Sequence, residues 1–360
     1  MQQVNTNLKY PTRYEVEQTL TDFCTRVFVD KFAQSRGIFI TKAIQDELSE
    51  HLSGFFFEHF DIEEIRDTAY KRNSSNTLAG FVVTSQDEAF DPIQALDALR
   101  GSNDLEKGVV LGAIVEEVNT DGSKQFKGAM EYVDKKPGRI EFLQEEIRRF
   151  DYTIKPIGEN SYQILVECQK SNDAKVFENL VKKRTGKDVR SEIIDADILS
   201  AKNTISFFDE LANKGMPTEW RLIEVKQLIF RKGKSENEEA EEVDAEELSG
   251  ITQAILDGNN LRENKFVKQS EESGYRFTAM TYEFEHKNHP LIIQIRAEFK
   301  SRPKVFEVGI HDFKHREGLQ AKTTKAELSD REEIELKTYI WQRSKEIYKA
   351  IMSQKLEKDE

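Results

Sequence analysis

Cysteine is scarce in this chain: Cys24 and Cys168 stand alone among 360 residues. Two thiols so far apart in sequence match no disulfide framework, zinc spacing or redox pair, and they read as buried groups that pack like small hydrophobes. Long apolar runs are also missing. Nothing approaches the ~20 residues of a membrane-spanning helix, and Met1-Gln2-Gln3-Val4-Asn5 lacks the basic-then-apolar order of a secretion signal. The expectation is a soluble, cytoplasmic protein. Glycine-rich phosphate loops are absent too. Gly233-Lys234-Ser235 has the ending of one, but Leu228 stands where the first glycine of the cradle belongs. There is no dinucleotide fingerprint, nucleophile elbow or paired-histidine zinc motif, and neither cysteine has the surroundings of a catalytic thiol.

What the chain does contain is enough apolar material for a core. Apolar residues make up 38% of it and phenylalanine alone contributes 23 residues, which excludes a wholly disordered chain. Its length suggests two or three domains. The formal net charge of −13 is unevenly spread, because eight acids fall within residues 236–247. Outside that run the chain carries basic clusters: Lys182, Lys183, Arg184, Lys187 and Arg190; Arg231, Lys232 and Lys234; then Arg296, Lys300, Arg302 and Lys304. The acidic run is expected to be exposed and mobile, and to compete with phosphates for these cations.

Helical signals dominate the first hundred residues. Thr12-Arg13-Tyr14-Glu15 spells a capping box, and Val16, Leu20, Phe23 and Val27 predict one amphipathic helix to about Ser35. A second is predicted from Thr41 to Lys71, with Ile44, Leu48, Leu52, Phe55 and Phe56 as its apolar stripe. A strand over 78–84 and a helix over 92–99 follow. From 109 onward the texture is β, with strands predicted over 109–118, 126–133, 162–168 and 219–230 and helices over 173–183 and 204–214. The segment 140–149 fits strand or helix. Leu248, Ile251, Ile255 and Leu256 suggest a helix ending before Gly258, and Ser329-Asp330-Arg331-Glu332 opens a long terminal helix with Ile340, Ile347, Tyr348 and Ile351 on one side.

The most specific pattern lies between 275 and 313. Three runs of alternating hydrophobicity, 275–286, 291–300 and 305–313, are joined by Lys287-Asn288-His289-Pro290 and Ser301-Arg302-Pro303-Lys304. Tight connections pair Phe284 with Ile293 and Tyr282 with Ile295, and set Ile310, Val308 and Phe306 opposite Ile295, Ala297 and Phe299. One face is then apolar. The other carries Glu283, Glu285, Gln294, Arg296, Glu298, Lys300, Glu307 and His311 and is expected to meet solvent. The fold class expected is α+β: a helical N-terminal part, mixed α/β segments and a C-terminal antiparallel meander covered by the terminal helix. The expected domains are 1–104, 105–235, an acidic linker over 236–250, and 251–360, the last able to be continuous with 105–235.

Two chemistries can be written on these elements. Glu298-Phe299-Lys300 with Glu307 opposite, or Glu224-Val225-Lys226 with Asp195 and Asp197, approximates the acid-x-Lys arrangement of metal-dependent nucleases, in which carboxylates hold a divalent ion and lysine stabilises charge. Such tripeptides recur in a chain this rich in charge, so their specificity is low. The meander also brings His286, His289, His311 and His315, with Glu285 and Asp312, towards one end of the sheet, where they suggest a metal site; His286 and His311 face opposite sides unless a bulge intervenes. The leading expectation is a non-catalytic intracellular interaction protein without a cofactor, with a protein partner, associated with nucleic acid as a subunit of a larger prokaryotic assembly. The competing expectation is the metal-dependent nuclease.

Overall fold

The structure, a computed structural model, describes residues 10–39, 44–71, 76–86, 90–100, 108–119, 122–136, 139–185, 189–232, 253–258, 261–317 and 322–359. The acidic run 236–247, Lys187 and Lys234 lie outside them. The fold is α+β, and the chain divides into two compact units, each assembled from separate segments. The first comprises residues 1–75, 93–116 and 127–151, and the second 76–92, 117–126 and 152–360.

The first unit is built on α1 (Arg13–Gln18), α2 (Arg26–Ser35), α3 (Gln45–Ser53) and α4 (His59–Lys71). The capping box forms as read: the Thr12 hydroxyl accepts from the Glu15 amide while the Glu15 carboxylate accepts from the Thr12 amide. The single helix expected to Ser35 is broken. A π turn over Thr19–Phe23 adds a residue to the winding, Cys24 turns extended, and Thr25 caps a fresh helix. That resets the phase, so Val27 faces solvent while Cys24, Val29 and Phe32 enter the core. The second expected helix is likewise two, α3 ending at Gly54 and α4 starting at His59. Val16, Leu20, Leu48, Leu52, Phe57, Ile62 and Ile65 pack with Phe142 and Leu143 into one core. The segment 140–149 resolves into a 3₁₀ turn, Glu141–Leu143, and the start of strand β5.

Along the chain the strands are β1 (Thr77–Ser85), β2 (Val109–Leu111), β3 (Val115–Val118), β4 (Lys124–Lys135), β5 (Glu145–Gly158), β6 (Ser161–Cys168), β7 (Val189–Glu192), β8 (Trp220–Lys232), β9 (Gln253–Asp257), β10 (Tyr275–His286), β11 (Leu291–Ser301), β12 (Lys304–Glu317) and β13 (Lys322–Lys325). In the second unit they run β5-β6-β1-β12-β11-β10-β8-β9. The meander has the expected register: Tyr282 opposite Ile295, Phe284 opposite Ile293, Ala297 opposite Val308 and Phe299 opposite Phe306. A bulge lies where Gln294 pairs with Asp312 and Ile295 with Ile310, so His311 is the extra residue. The helix expected around Ile251–Leu256 is instead β9 within the described residues, with Leu256 opposite Leu228. Five residues carry too little periodicity to separate the two forms.

The remaining helices are α5 (Pro92–Leu99), α6 (Asn172–Thr185), α7 (Ala201–Lys214), α8 (Lys265–Glu272) and α9 (Asp330–Asp359). The apolar face is covered by α7 and α9, with α8 adding Val267 beside β10. α9 lies against β1 and β12 and contributes Ile340 and Trp341, while α7, capped by Ser200, lies against β10 and contributes Phe207 and Phe208. Gly80 on β1 makes room for α9, because a Cβ there would sit 2.7 Å from both Trp341 and Leu165. The opposite face is not uniformly solvated. α6 packs on β6, β1 and β12, and Glu307 beneath it is only 2% exposed. Over β8, β10 and β11 that face keeps half-buried Glu283, Arg296, Glu298 and Lys300.

Candidate interaction surfaces

The first unit carries an aromatic surface at the α3–α4 junction. Phe55-Phe56-Phe57 follows Gly54, whose amide closes α3 on the His51 carbonyl. Three consecutive aromatics cannot all face one core. Phe57 turns inward against Phe32, with ring centroids 5.6 Å apart, whereas Phe56 is 87% exposed and Phe60, the second residue of α4, is 78% exposed. The Tyr10 hydroxyl donates to the Phe57 carbonyl at 2.6 Å, which holds its ring stacked on Phe56 at 6.5 Å. Phe55, Tyr14, Phe39 and Ile44 are exposed in the same unit. Scattered apolar residues on a surface are ordinary, but adjoining exposed aromatics mark interaction sites. The spacing predicts Ile44, Phe55 and Phe56 on one apolar stripe, yet all three are exposed; the aromatic triplet is the signal that some of them must face out.

The second unit gathers two of the basic clusters. Arg231 on β8 pairs across the ladder with Arg276 on β10, and both line a narrow cleft with Lys300 near the end of β11 and Lys304 at the start of β12. Arg231 donates to Ser301 Oγ at 3.0 Å. Asp197 takes Lys304 at 2.5 Å and Arg276 at 3.4 Å, and the Lys304 hydrogen bond holds its carboxyl below the usual range. Lys182, Lys183 and Arg184 occupy the last turn of α6, where Lys182 meets Glu178 at 2.5 Å, and Arg190 is exposed on β7. Lys232 ends β8.

Both acid-x-Lys candidates form ion pairs on the polar face. Glu298 meets Arg296 and Lys300, each at 2.8 Å; burial pushes its carboxyl up, and the two cations outweigh that and hold it low. Glu307 lies directly opposite and is pushed up by burial, with Glu298 adding to the effect. Glu224 is paired with Lys226, which also reaches Glu283 at 3.5 Å. Asp195 caps the turn Ala196–Ile198 by accepting from the Asp197 amide at 2.8 Å. The structure does not bring Asp197 to Glu224: their partners on β10, Arg276 and Glu283, are separated by roughly 23 Å of strand at about 3.3 Å per residue.

The histidines gather only in part. His286 and His289 have ring centroids 4.6 Å apart, but His311 sits at the bulge and is exposed, as is His315 opposite Leu291. Glu285 is engaged by Arg221 and Arg316, and Asp312 pairs with Lys314 at 2.5 Å. Among the described residues no three histidine, cysteine or acidic side chains come together as a metal-holding group, and no helix is long and apolar enough to cross a membrane.

No family model matches the chain, and no curated protein matches it. Among solved structures it is similar to DynU16, described as a putative protein in the dynemicin biosynthetic locus, at 11% identity over 77% of this chain and 98% of that one. The TM-score is 0.14, at which the likeness carries no argument about fold or function.

Proposed function

We propose that the chain is a non-catalytic interaction protein that docks a protein partner on the aromatic surface of the α3–α4 junction. The supporting observation is the stack of Tyr10 on Phe56 beside exposed Phe55 and Phe60. Aromatic anchors carry a large share of binding free energy because they bury much area with few rotors, and their truncation commonly costs about 2 kcal/mol or more. The partner surface is one with an apolar pocket to receive these rings. Affinity purification of the full chain from its native source, repeated with a Phe56→Ser, Phe60→Ser variant, tests this. The expected result is a stoichiometric partner whose affinity drops at least tenfold in the variant while the melting temperature is unchanged. Retention at equal affinity sinks the reading.

A second reading, association with nucleic acid through the Arg231–Arg276–Lys300–Lys304 cleft, is favoured by the convergence of four cations from four strands. Phosphate contacts make binding weaken steeply with salt. Exchanging Arg231 and Lys304 for glutamate is expected to weaken binding about equally across DNA sequences and to flatten the logarithmic salt dependence by about one to two. Filter-binding titrations across a salt series read both quantities. The same samples incubated with magnesium or manganese are expected to stay uncut; cleavage that disappears in Glu298→Gln, with folding intact, would overturn the non-catalytic reading in favour of the nuclease.

A further inference from the structure

At the end of the second unit's sheet opposite to that cleft, the β10–β11 turn frames a cavity of about 410 Å³. Its wall is built around Glu285, which lies between Arg221 on β8 and Ile292 on β11. One carboxylate oxygen accepts from Arg221 and the other from Arg316 at 3.2 Å. Both guanidiniums are therefore held in place by a carboxylate that is itself largely buried. Each offers five N–H donors in a planar fork, so most remain for a ligand, and both side chains are open to solvent at 69% and 45%. Lys287 adds a third cation to the lining, its amine resting on the Thr218 carbonyl at 2.6 Å. Three cations against one carboxylate leave the cavity with a net positive charge.

His286 is set as a donor. Its Nδ1 accepts the amides of Asn288 and His289 at 3.1 and 3.2 Å, and a neutral imidazole that accepts at Nδ1 carries its proton on Nε2. That tautomer has no free lone pair for a metal, but it adds an N–H to the cavity it lines. Trp220 packs edge-on to the ring at 5.0 Å and fixes its plane. The rest of the lining is apolar or flat: Pro290, Leu291, Ile292 and the His289 ring. Forked cations beside an apolar wall match a phosphate carried on a planar ring system, and the volume lies within the range of pockets that hold small organic ligands.

We propose that this cavity binds a nucleoside monophosphate group, with the phosphate on Arg221 and Arg316 and the base or sugar against Pro290, Leu291 and Ile292. The group can come from a free nucleotide or from the 5′-phosphate end of a strand. The proposal does not rest on the aromatic surface or on the Arg231 cleft.

Isothermal titration of the full chain with AMP, adenosine and inorganic phosphate is the test. AMP is expected to bind at least tenfold more tightly than either fragment. The affinity should fall at least tenfold in Arg221→Lys, Arg316→Lys, which keeps the charge and the partner of Glu285 but removes the fork, and should be unchanged in Lys202→Ala, at an exposed position on α7. Competition by a 5′-phosphorylated oligonucleotide and not by its 5′-hydroxyl counterpart identifies a strand end; absence of competition identifies the free nucleotide. The proposal is overturned if AMP fails to saturate at millimolar concentration, binds no better than adenosine, or binds equally well to the double lysine variant. Thermal melts that match the parent chain show that the variants are folded.

Discussion

Phe207→Ala is expected to lower the unfolding free energy of the second unit by about 3–5 kcal/mol, the usual cost of deleting a buried aromatic ring. Phe207 is completely buried, and its ring meets Phe208 at 5.4 Å, Phe299 at 5.1 Å and Phe306 at 5.4 Å. These residues come from α7, β11 and β12. Removing the ring therefore costs the transfer free energy of the side chain, the edge-to-face contacts, and a cavity that rigid β-ladders on one side cannot close. Urea denaturation followed by near-ultraviolet circular dichroism reads the change as a lower midpoint with an unchanged slope. A shift below about 1 kcal/mol would mean that α7 is not the cover of this face. Phe56→Ser provides the contrast: an exposed ring supports little of the fold, and its loss is expected to change stability by no more than about 0.5 kcal/mol.

That contrast separates what was legible in the sequence from what was not. The meander could be read because a period of two is rigid: with four-residue connections, placing Phe284 opposite Ile293 leaves one register in which the apolar residues share a face. The cover was only half legible. Ile340 and Trp341 announce an amphipathic terminal helix, but nothing in the local pattern of Phe207-Phe208 says that they reach Phe299 and Phe306 ninety residues later. The N-terminal helices depart from the expected pattern for a local reason, since periodicity can be followed across Cys24-Thr25 and Gly54 only if the winding continues unbroken. It does not, and Phe55 and Phe56 move from an expected stripe to the surface. The site residues show the same limit. Arg231 and Lys304 lie far apart in sequence and meet because β8 pairs with β10 and the β11–β12 turn lies at the same end. The pairing of Glu298 with Glu307 was visible from register, whereas the burial of Glu307 depended on α6, whose packing partner no spacing disclosed.

Glu307 gives the other large effect, one that depends on pH. Its Oε1 is buried without a hydrogen-bond partner, and burial raises its pKa above the ordinary carboxylate value despite opposing interactions with Ser171, Lys300 and Thr77. A carboxyl that is more basic in the folded chain binds more protons there than in the unfolded chain, so its contribution to stability is fully present below the unfolded value near pH 4.3 and is lost as pH rises through the folded value. Glu307→Gln removes that loss. The glutamine keeps an acceptor for its neighbours and carries no charge, so the variant is expected to match the parent at pH 4 and to exceed it by about 1–3 kcal/mol once the parent carboxyl has ionised, the cost of a buried unsatisfied group. Melting temperatures from pH 4 to 9 read the difference; parallel profiles would show that Glu307 is not held protonated. The result also bears on chemistry. Opposed shifts in two facing carboxyls are what an acid and base pair requires, but Glu307 is 2% exposed and lies under α6, out of reach of a substrate. A nuclease built on Glu298, Lys300 and Glu307 would need that carboxylate ionised and accessible, and would lose cleavage in Glu307→Gln. The non-catalytic reading expects the same substitution to stabilise the fold and to leave partner binding and nucleic-acid association unchanged.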